Sequence, residues 1–295
     1  MGRRILQVAL AATAAAVVVI CGLWIWARPA AMHPYFAADD FMVIAHRGGR
    51  GLGPENTLPA FRLSLAAGAN VLEMDVRTTA DGHFIVLHDG SVDRTTNGHG
   101  TVNEMTLAQV KKLDAGYHWT VADGRGFPFR NRGITIPTLP EVFTAVPVMP
   151  LIIELKENRP SMSQSFCAEL RKHKRTNSVL VASAHSEVLE RFRTVCPRVA
   201  TSSGPTEAMQ FYLLSRMGLA SLYSPVEKAL LVPKTVKGRQ VVSIEFVEAA
   251  HARNLKVAVW TINRNEDMRR LIAVAVDGIL TDYPDRLSGI IKEMP

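Results

Sequence analysis

The chain has 295 residues, a hydrophobic content of 47% and a formal net charge of +7. That length admits one large α/β domain or two small ones, and the apolar content is ample for a sizeable core. The basic excess has no stripe of Lys and Arg interleaved with aromatics, which excludes nucleic acid as the expected partner; outside the N-terminus it is mild and suits an anionic substrate or a lipid headgroup surface.

Residues 5–27 carry no charge, and only Gln7 and Thr13 are clearly polar. A helix of that length spans about 34 Å, enough for a bilayer core. Trp24 and Trp26 stand where an interfacial aromatic belt belongs. A cleaved signal peptide is the rival, but its apolar region is shorter, about 7–15 residues. The expectation is a single-pass membrane anchor over 1–28. Arg3 and Arg4 keep its N-terminus cytoplasmic and leave the rest of the chain on the extracytoplasmic side. Residues 29–40 have two prolines and no periodicity, and read as a linker to a domain over 41–295.

From there short apolar runs alternate with helical patterns, the signature of βαβ units and a parallel sheet. The candidate strands are Met42–Ala45, Val71–Val76, Phe84–Leu87, Leu151–Leu155, Val179–Ala182, Val199–Ser202, Lys256–Trp260 and Gly278–Thr281. Eight in order predict a (β/α)₈ TIM barrel. An open doubly wound sheet would want a glycine-rich GxGxxG turn after the first strand, and His46-Arg47-Gly48-Gly49 is not one. Helix starts are marked by Thr57 before Leu58-Pro59, by capping-box spacing at Thr106–Gln109 and Thr138–Glu141, and by Ser243 or Ile244. Glu187–Val195 is a further helix, with Val188, Leu189, Phe192 and Val195 on one face.

Residues 89–137 break the rhythm. They hold no convincing barrel strand and many turn residues, and they follow the third candidate strand, so they predict an insertion over the barrel mouth. The basic run Arg171–Arg175 reads as a solvated helix end. Cys167 and Cys196 show no CxxC spacing; an oxidising compartment would permit a bridge, but two buried free thiols are the expectation.

Three fragments carry the chemistry. His46, Glu73 and His88 each follow a short apolar run, so each emerges where a strand gives way to a loop, the barrel rim on which active sites are built. Glu73 and Asp75 are i and i+2 on a strand, so both carboxylates face one point. They repel unless a cation or a shared proton neutralises them, and a hard divalent ion, Mg²⁺ or Ca²⁺, is the natural partner. Glu154 is a third acid in an apolar strand: alone it would pair with Lys156, beside the other two it completes a metal site. His46 and His88 fit a general acid and base. Arg47 and Lys156 suit a phosphate clamp, or else balance the carboxylates. Trp260 forms a substrate wall or caps the barrel.

His46-Arg47-Gly48, Pro54-Glu55-Asn56-Thr57, Glu73-x-Asp75-Val76, His88-Asp89, Arg94-Thr95-Thr96-Asn97-Gly98, Glu154-Leu155-Lys156, Trp260-Thr261-x-Asn263 and Asp277-Gly278-Ile279-x-Thr281-Asp282 together resemble the glycerophosphodiester phosphodiesterase family, in order from about residue 42 to 287. The resemblance implies a TIM barrel with the insertion after strand three, and a divalent ion on Glu73, Asp75 and Glu154. It also implies His46 and His88 as the acid–base pair, with Arg47 and Lys156 near the phosphate. The implied reaction is metal-dependent hydrolysis of glycerophosphodiesters to glycerol 3-phosphate and an alcohol. A lysophospholipase D-type activity on membrane lysophospholipids and a non-catalytic lipid-binding barrel are the alternatives.

Overall fold

Nine of the strands in the computed structural model share one sheet, and eight of these, all parallel, make its ring. The structure describes residues 26–38, 40–121, 124 and 126–294, with positions 7, 10 and 22. In chain order the strands are β1 (Met42–Ala45), β2 (Val71–Thr78), β3 (Phe84–Val86), β4 (Leu151–Leu155), β5 (Val179–Ala182), β6 (Ala200–Thr201), β7 (Ala229–Pro233), β8 (Thr235–Val236), β9 (Arg239–Gln240), β10 (Lys256–Trp260) and β11 (Gly278–Thr281). The ring order is β6-β5-β4-β2-β1-β11-β10-β7. A parallel bridge from Ser202 to Ala229 returns β6 to β7 and nearly closes it. Helices lie between successive ring strands, as a (β/α)₈ barrel requires.

Two strand assignments are corrected. Phe84–Leu87 is not a barrel strand: β3 runs antiparallel to β2, with Thr78 opposite Phe84 and Val76 opposite Val86. Five residues separate β2 from β3, whereas a parallel crossover needs a dozen or more, so only a hairpin fits. The insertion therefore begins after the second barrel strand, and β3 is its first element. The missing barrel strand is Ala229–Pro233, which pairs with β10 along its whole length. Its apolar run is only four residues, Ala229 to Val232, ended at once by Pro233, so it is a weak strand signal in the sequence.

The insertion is not an open loop. Ile85, Leu87, Val92, Val102, Val110 and Ile136 form a small core of their own. Thr106 caps the short helix Leu107–Val110, and a capping box there and at Thr138 matches the sequence reading. Thr57 and Ser243 cap the helices that they precede.

The stretch 28–36 is packed against the barrel floor. The Arg28 amide donates to Ser224 Oγ, Ala30 exchanges hydrogen bonds with Arg253 and Asn254, and His33 Nε2 bonds the Arg198 carbonyl. Tyr35 and Phe36 are buried in the apolar layer at the bottom of the ring. The predicted membrane span 5–27 lies almost wholly outside the described residues; among those described, no helix is long and apolar enough to cross a membrane.

Two further expectations change. Arg175 is not solvated: it is buried, donates to the Pro147 and Met149 carbonyls and stacks over Phe143. Cys167 and Cys196 are not free thiols but a disulfide, with their Cα atoms 5.8 Å apart. It ties the helix Pro160–Lys172 to the end of the helix Ser186–Val195. Two cysteines that meet only through helix packing leave no spacing signal. Closing a 29-residue separation removes unfolded-state entropy worth about 3.6 kcal/mol. Cys167→Ser/Cys196→Ser is expected to lower the unfolding free energy by that amount in a urea titration, with a fold that still binds substrate.

Candidate active site

Alternation along the strands decides what reaches the interior of the ring. Ile44, Val71, Ile152, Ala258 and Leu280 belong to one apolar layer inside it. Two residues further along the same strands, on the same face, come His46, Glu73, Glu154, Trp260 and Asp282. Asp75 and Lys156 follow after two more. The intervening Leu72, Met74, Val76, Leu151 and Ile153 pack outward against the helices. The floor is apolar and the rim polar because parity carries each strand from one chemistry to the other.

The three predicted metal-site acids meet. Asp75 and Glu154 are register partners on β2 and β4. Glu73, Asp75 and Glu154 each offer an oxygen, all within 4.8 Å of one another. Lys156 Nζ sits 3.1 Å from Asp75 and 3.0 Å from Glu154. These two carboxylates overcome the burial of the lysine and hold its ammonium above its ordinary pKa. Among the described residues no cation lies in salt-bridge contact with Glu73, and Lys156 acts on it only weakly. Burial, and then the charges of Asp75 and Glu154, push its carboxyl well above the usual range. The three side chains of the cluster offer oxygen donors alone, which is the donor chemistry of a hard divalent cation.

The first loop wraps this cluster. The Arg47 amide donates to Glu73 Oε2 at 2.6 Å, and Arg47 adopts a left-handed backbone, φ 50°. Gly48 follows at φ +73°, where an added Cβ would fall 2.2 Å from the Phe61 ring, so the turn demands glycine. Asn56, not singled out as a site residue by the sequence reading, is buried and grips Asp75 twice: its Nδ2 donates to Oδ2 at 2.9 Å, and its Oδ1 accepts from the Asp75 amide. The Arg47 side chain is nearly buried beside Asp75, at 3.7 Å, and its Nε makes no hydrogen bond among the described residues.

Each histidine carries a carboxylate on the same ring nitrogen. His46 Nδ1 lies 2.7 Å from Asp282 Oδ1, and His88 Nδ1 lies 2.6 Å from Asp89 Oδ1. A carboxylate accepts, so Nδ1 is the protonated nitrogen and Nε2 is left for the site. Asp282 is also held by Asn263 Nδ2 and by Arg50. Its burial works against its charge, yet His46 foremost, with Asn263 and Arg50, keeps its carboxyl below the usual range. Arg94 and then His88 hold Asp89 far below it.

His88 reaches the rim by an unexpected path. β2 runs past the mouth and β3 returns, so that the Leu87 amide bonds the Asp75 carbonyl and His88 follows at the level of the acids. Trp260 ends β10 at the mouth, half-exposed. Asp282 was legible by parity, standing two residues beyond the interior Leu280; Arg94 was visible only as part of a motif.

The family model for the glycerophosphoryl diester phosphodiesterase family matches residues 46–286. A glycerophosphodiester phosphodiesterase of Caldanaerobacter subterraneus is 34% identical over 85% of this chain and 98% of its own. A solved structure from Silicibacter pomeroyi that carries the same family name is 30% identical, with a TM-score of 0.74 over 89% of this chain and 98% of that one. A phosphodiesterase of Oleispira antarctica, solved with its product sn-glycerol-3-phosphate, is 26% identical, with a TM-score of 0.68 over 85% and 97%.

Proposed function

This chain belongs to the glycerophosphoryl diester phosphodiesterase family, and on that premise we propose that it hydrolyses water-soluble glycerophosphodiesters to glycerol 3-phosphate and an alcohol, in a metal-dependent reaction with His46 and His88 as base and acid. The observation that carries the reading is the convergence at one barrel mouth of two aspartate-backed histidines and a three-carboxylate cluster.

Glu73, Asp75 and Glu154 are the residues to hold a divalent cation, which when bound supplies charge neutralisation at the phosphate and lowers a hydroxyl pKa. The protein's own residues do the rest. Arg47 and Lys156 face the phosphate, the first with a buried Nε that makes no hydrogen bond among the described residues. His46, its Nδ1 fixed by Asp282, takes the proton of the glycerol 2-hydroxyl at Nε2 as that oxygen attacks phosphorus. The bond to the leaving alcohol breaks, and His88 Nε2 delivers a proton to that oxygen. The cyclic phosphate is then opened by water, with the histidines exchanging roles. Trp260 walls the mouth on the β10 side.

The N-terminal anchor, with the domain on the extracytoplasmic side, belongs to the same proposal. The charge-free run 5–27 and the preceding Arg3 and Arg4 support it. So does the disulfide, a bond that persists in oxidising compartments.

The test is release of glycerol 3-phosphate from glycerophosphocholine and glycerophosphoethanolamine by the purified protein. Steady turnover that stops with chelator is the expected result. High turnover of lysophospholipid in vesicles with none of either soluble diester would overturn the assignment of substrate, and no turnover of any diester would leave a binding barrel.

A further inference from the structure

Arg94 lies in the insertion, outside the ring, yet it touches the partners of two site residues. Its Nε donates to Asp89 Oδ2 at 2.6 Å, while the other oxygen of Asp89 holds His88. Its Nη1 and Nη2 donate to both oxygens of Glu55 at 2.8 and 2.7 Å, and Glu55 Oε1 also accepts from Arg47 Nη1 at 3.0 Å. The result is an unbroken chain, His88–Asp89–Arg94–Glu55–Arg47, joining the residue at one side of the mouth to the residue at the other.

We propose that Arg94 is a positioning residue for both His88 and Arg47, so that seating the insertion on the barrel is what aligns the proton-transfer group with the phosphate-facing one. This rests on the roles given above to those two residues.

Three features carry it. The geometry uses three N–H groups of one planar guanidinium on two carboxylates at once, which an ammonium's point charge cannot reproduce. Both carboxylates are held anionic: Arg94 and then His88 keep Asp89 far below the ordinary carboxylate range, and at Glu55 the two arginines overcome the opposing effect of burial. The backbone that presents Arg94 is fixed, since Val92 and Thr96 on either side are fully buried and Thr96 Oγ1 bonds the Val92 carbonyl. The link from the barrel side is Glu55, nearly buried in the first loop. Without Arg94, Asp89 is a part-exposed side chain free to leave His88, and Nδ1 loses the partner that fixes its tautomer.

The experiment is a double-mutant cycle on glycerophosphocholine hydrolysis by the full chain. Arg94→Gln is expected to lower kcat on the order of 10- to 100-fold, the usual worth of an outer orienting partner, and to raise KM through Arg47. In the His88→Ala background the same substitution should change kcat less than about threefold, because its kcat effect passes through His88. Free guanidinium at millimolar concentration should restore part of kcat to Arg94→Gln and none to the double variant. A tether that only stabilises the fold would give equal losses in both backgrounds and no rescue. Either that result, or an Arg94→Gln enzyme within twofold of the parent while His88→Ala is impaired, overturns the proposal. An unimpaired His88→Ala enzyme removes His88 from the mechanism and this proposal with it. Should Arg94→Gln fail to fold, Arg94→Lys, which keeps the charge and loses the fork, is read in the same cycle.

Discussion

His46→Ala and His88→Ala are each expected to lower kcat by roughly 10²–10⁴-fold, the worth of a positioned proton donor or acceptor. The size follows from how each ring is held. Nδ1 is committed to Asp282 or Asp89 at hydrogen-bond distance, so Nε2 arrives in a defined tautomer and direction. Neither ring belongs to the apolar core, and both keep some contact with solvent. The melting temperatures should therefore stay within a few degrees of the parent. Asp282→Asn is expected to impair catalysis with His46 still present, because an amide accepts Nδ1–H more weakly and can present its own N–H instead. Steady-state kinetics beside thermal melts decide the matter: a histidine variant within a fewfold of the parent has no part in proton transfer.

Chelation is expected to abolish turnover and Mg²⁺ or Ca²⁺ to restore it, with Glu73→Gln and Asp75→Asn each blocking the restoration. A readout free of turnover follows from the electrostatics. Burial first, then Asp75 and Glu154, raise the Glu73 carboxyl well above its ordinary 4.5. A carboxyl raised on folding binds its proton more tightly in the folded state. The metal-free protein therefore loses stability as pH climbs from below 4.5 through the raised value. A divalent cation compensates the charge, so its thermal shift should be small in acid and large at neutral pH. At a hundredfold excess over Kd it stabilises by about 2.7 kcal/mol. Glu73→Gln should raise the melting temperature of the metal-free protein and abolish the shift. An equal shift at both pH values, or one that survives Glu73→Gln, would refute the cation site.

Much of this site is legible before folding because strand alternation is a strict rule. Glu73 and Asp75 two apart, Glu154 in an apolar strand, and His46 beside the first strand end all fall where parity puts them. What is illegible is of another kind. Phe84–Val86 is apolar like a barrel strand, and only the five-residue connection to β2 reveals the hairpin. Ala229–Pro233 is short, and its apolar run is cut off by Pro233, so periodicity alone does not distinguish it from a loop segment. The pairing of Cys167 with Cys196, the burial of Arg175 and the grip of Asn56 on Asp75 arise from tertiary packing between distant segments, on which local sequence is silent.

The segment 28–36 is fastened to residues that lead into β6, β7 and β10, at the end of the ring opposite the mouth. Whatever precedes Arg28 therefore leaves from the closed end. With that preceding segment in a bilayer, as proposed, the open end looks into the aqueous phase, and enzyme and substrate meet by diffusion in three dimensions. Turnover should follow the bulk concentration of a dissolved diester and be indifferent to how thinly a lipid is diluted within the membrane plane.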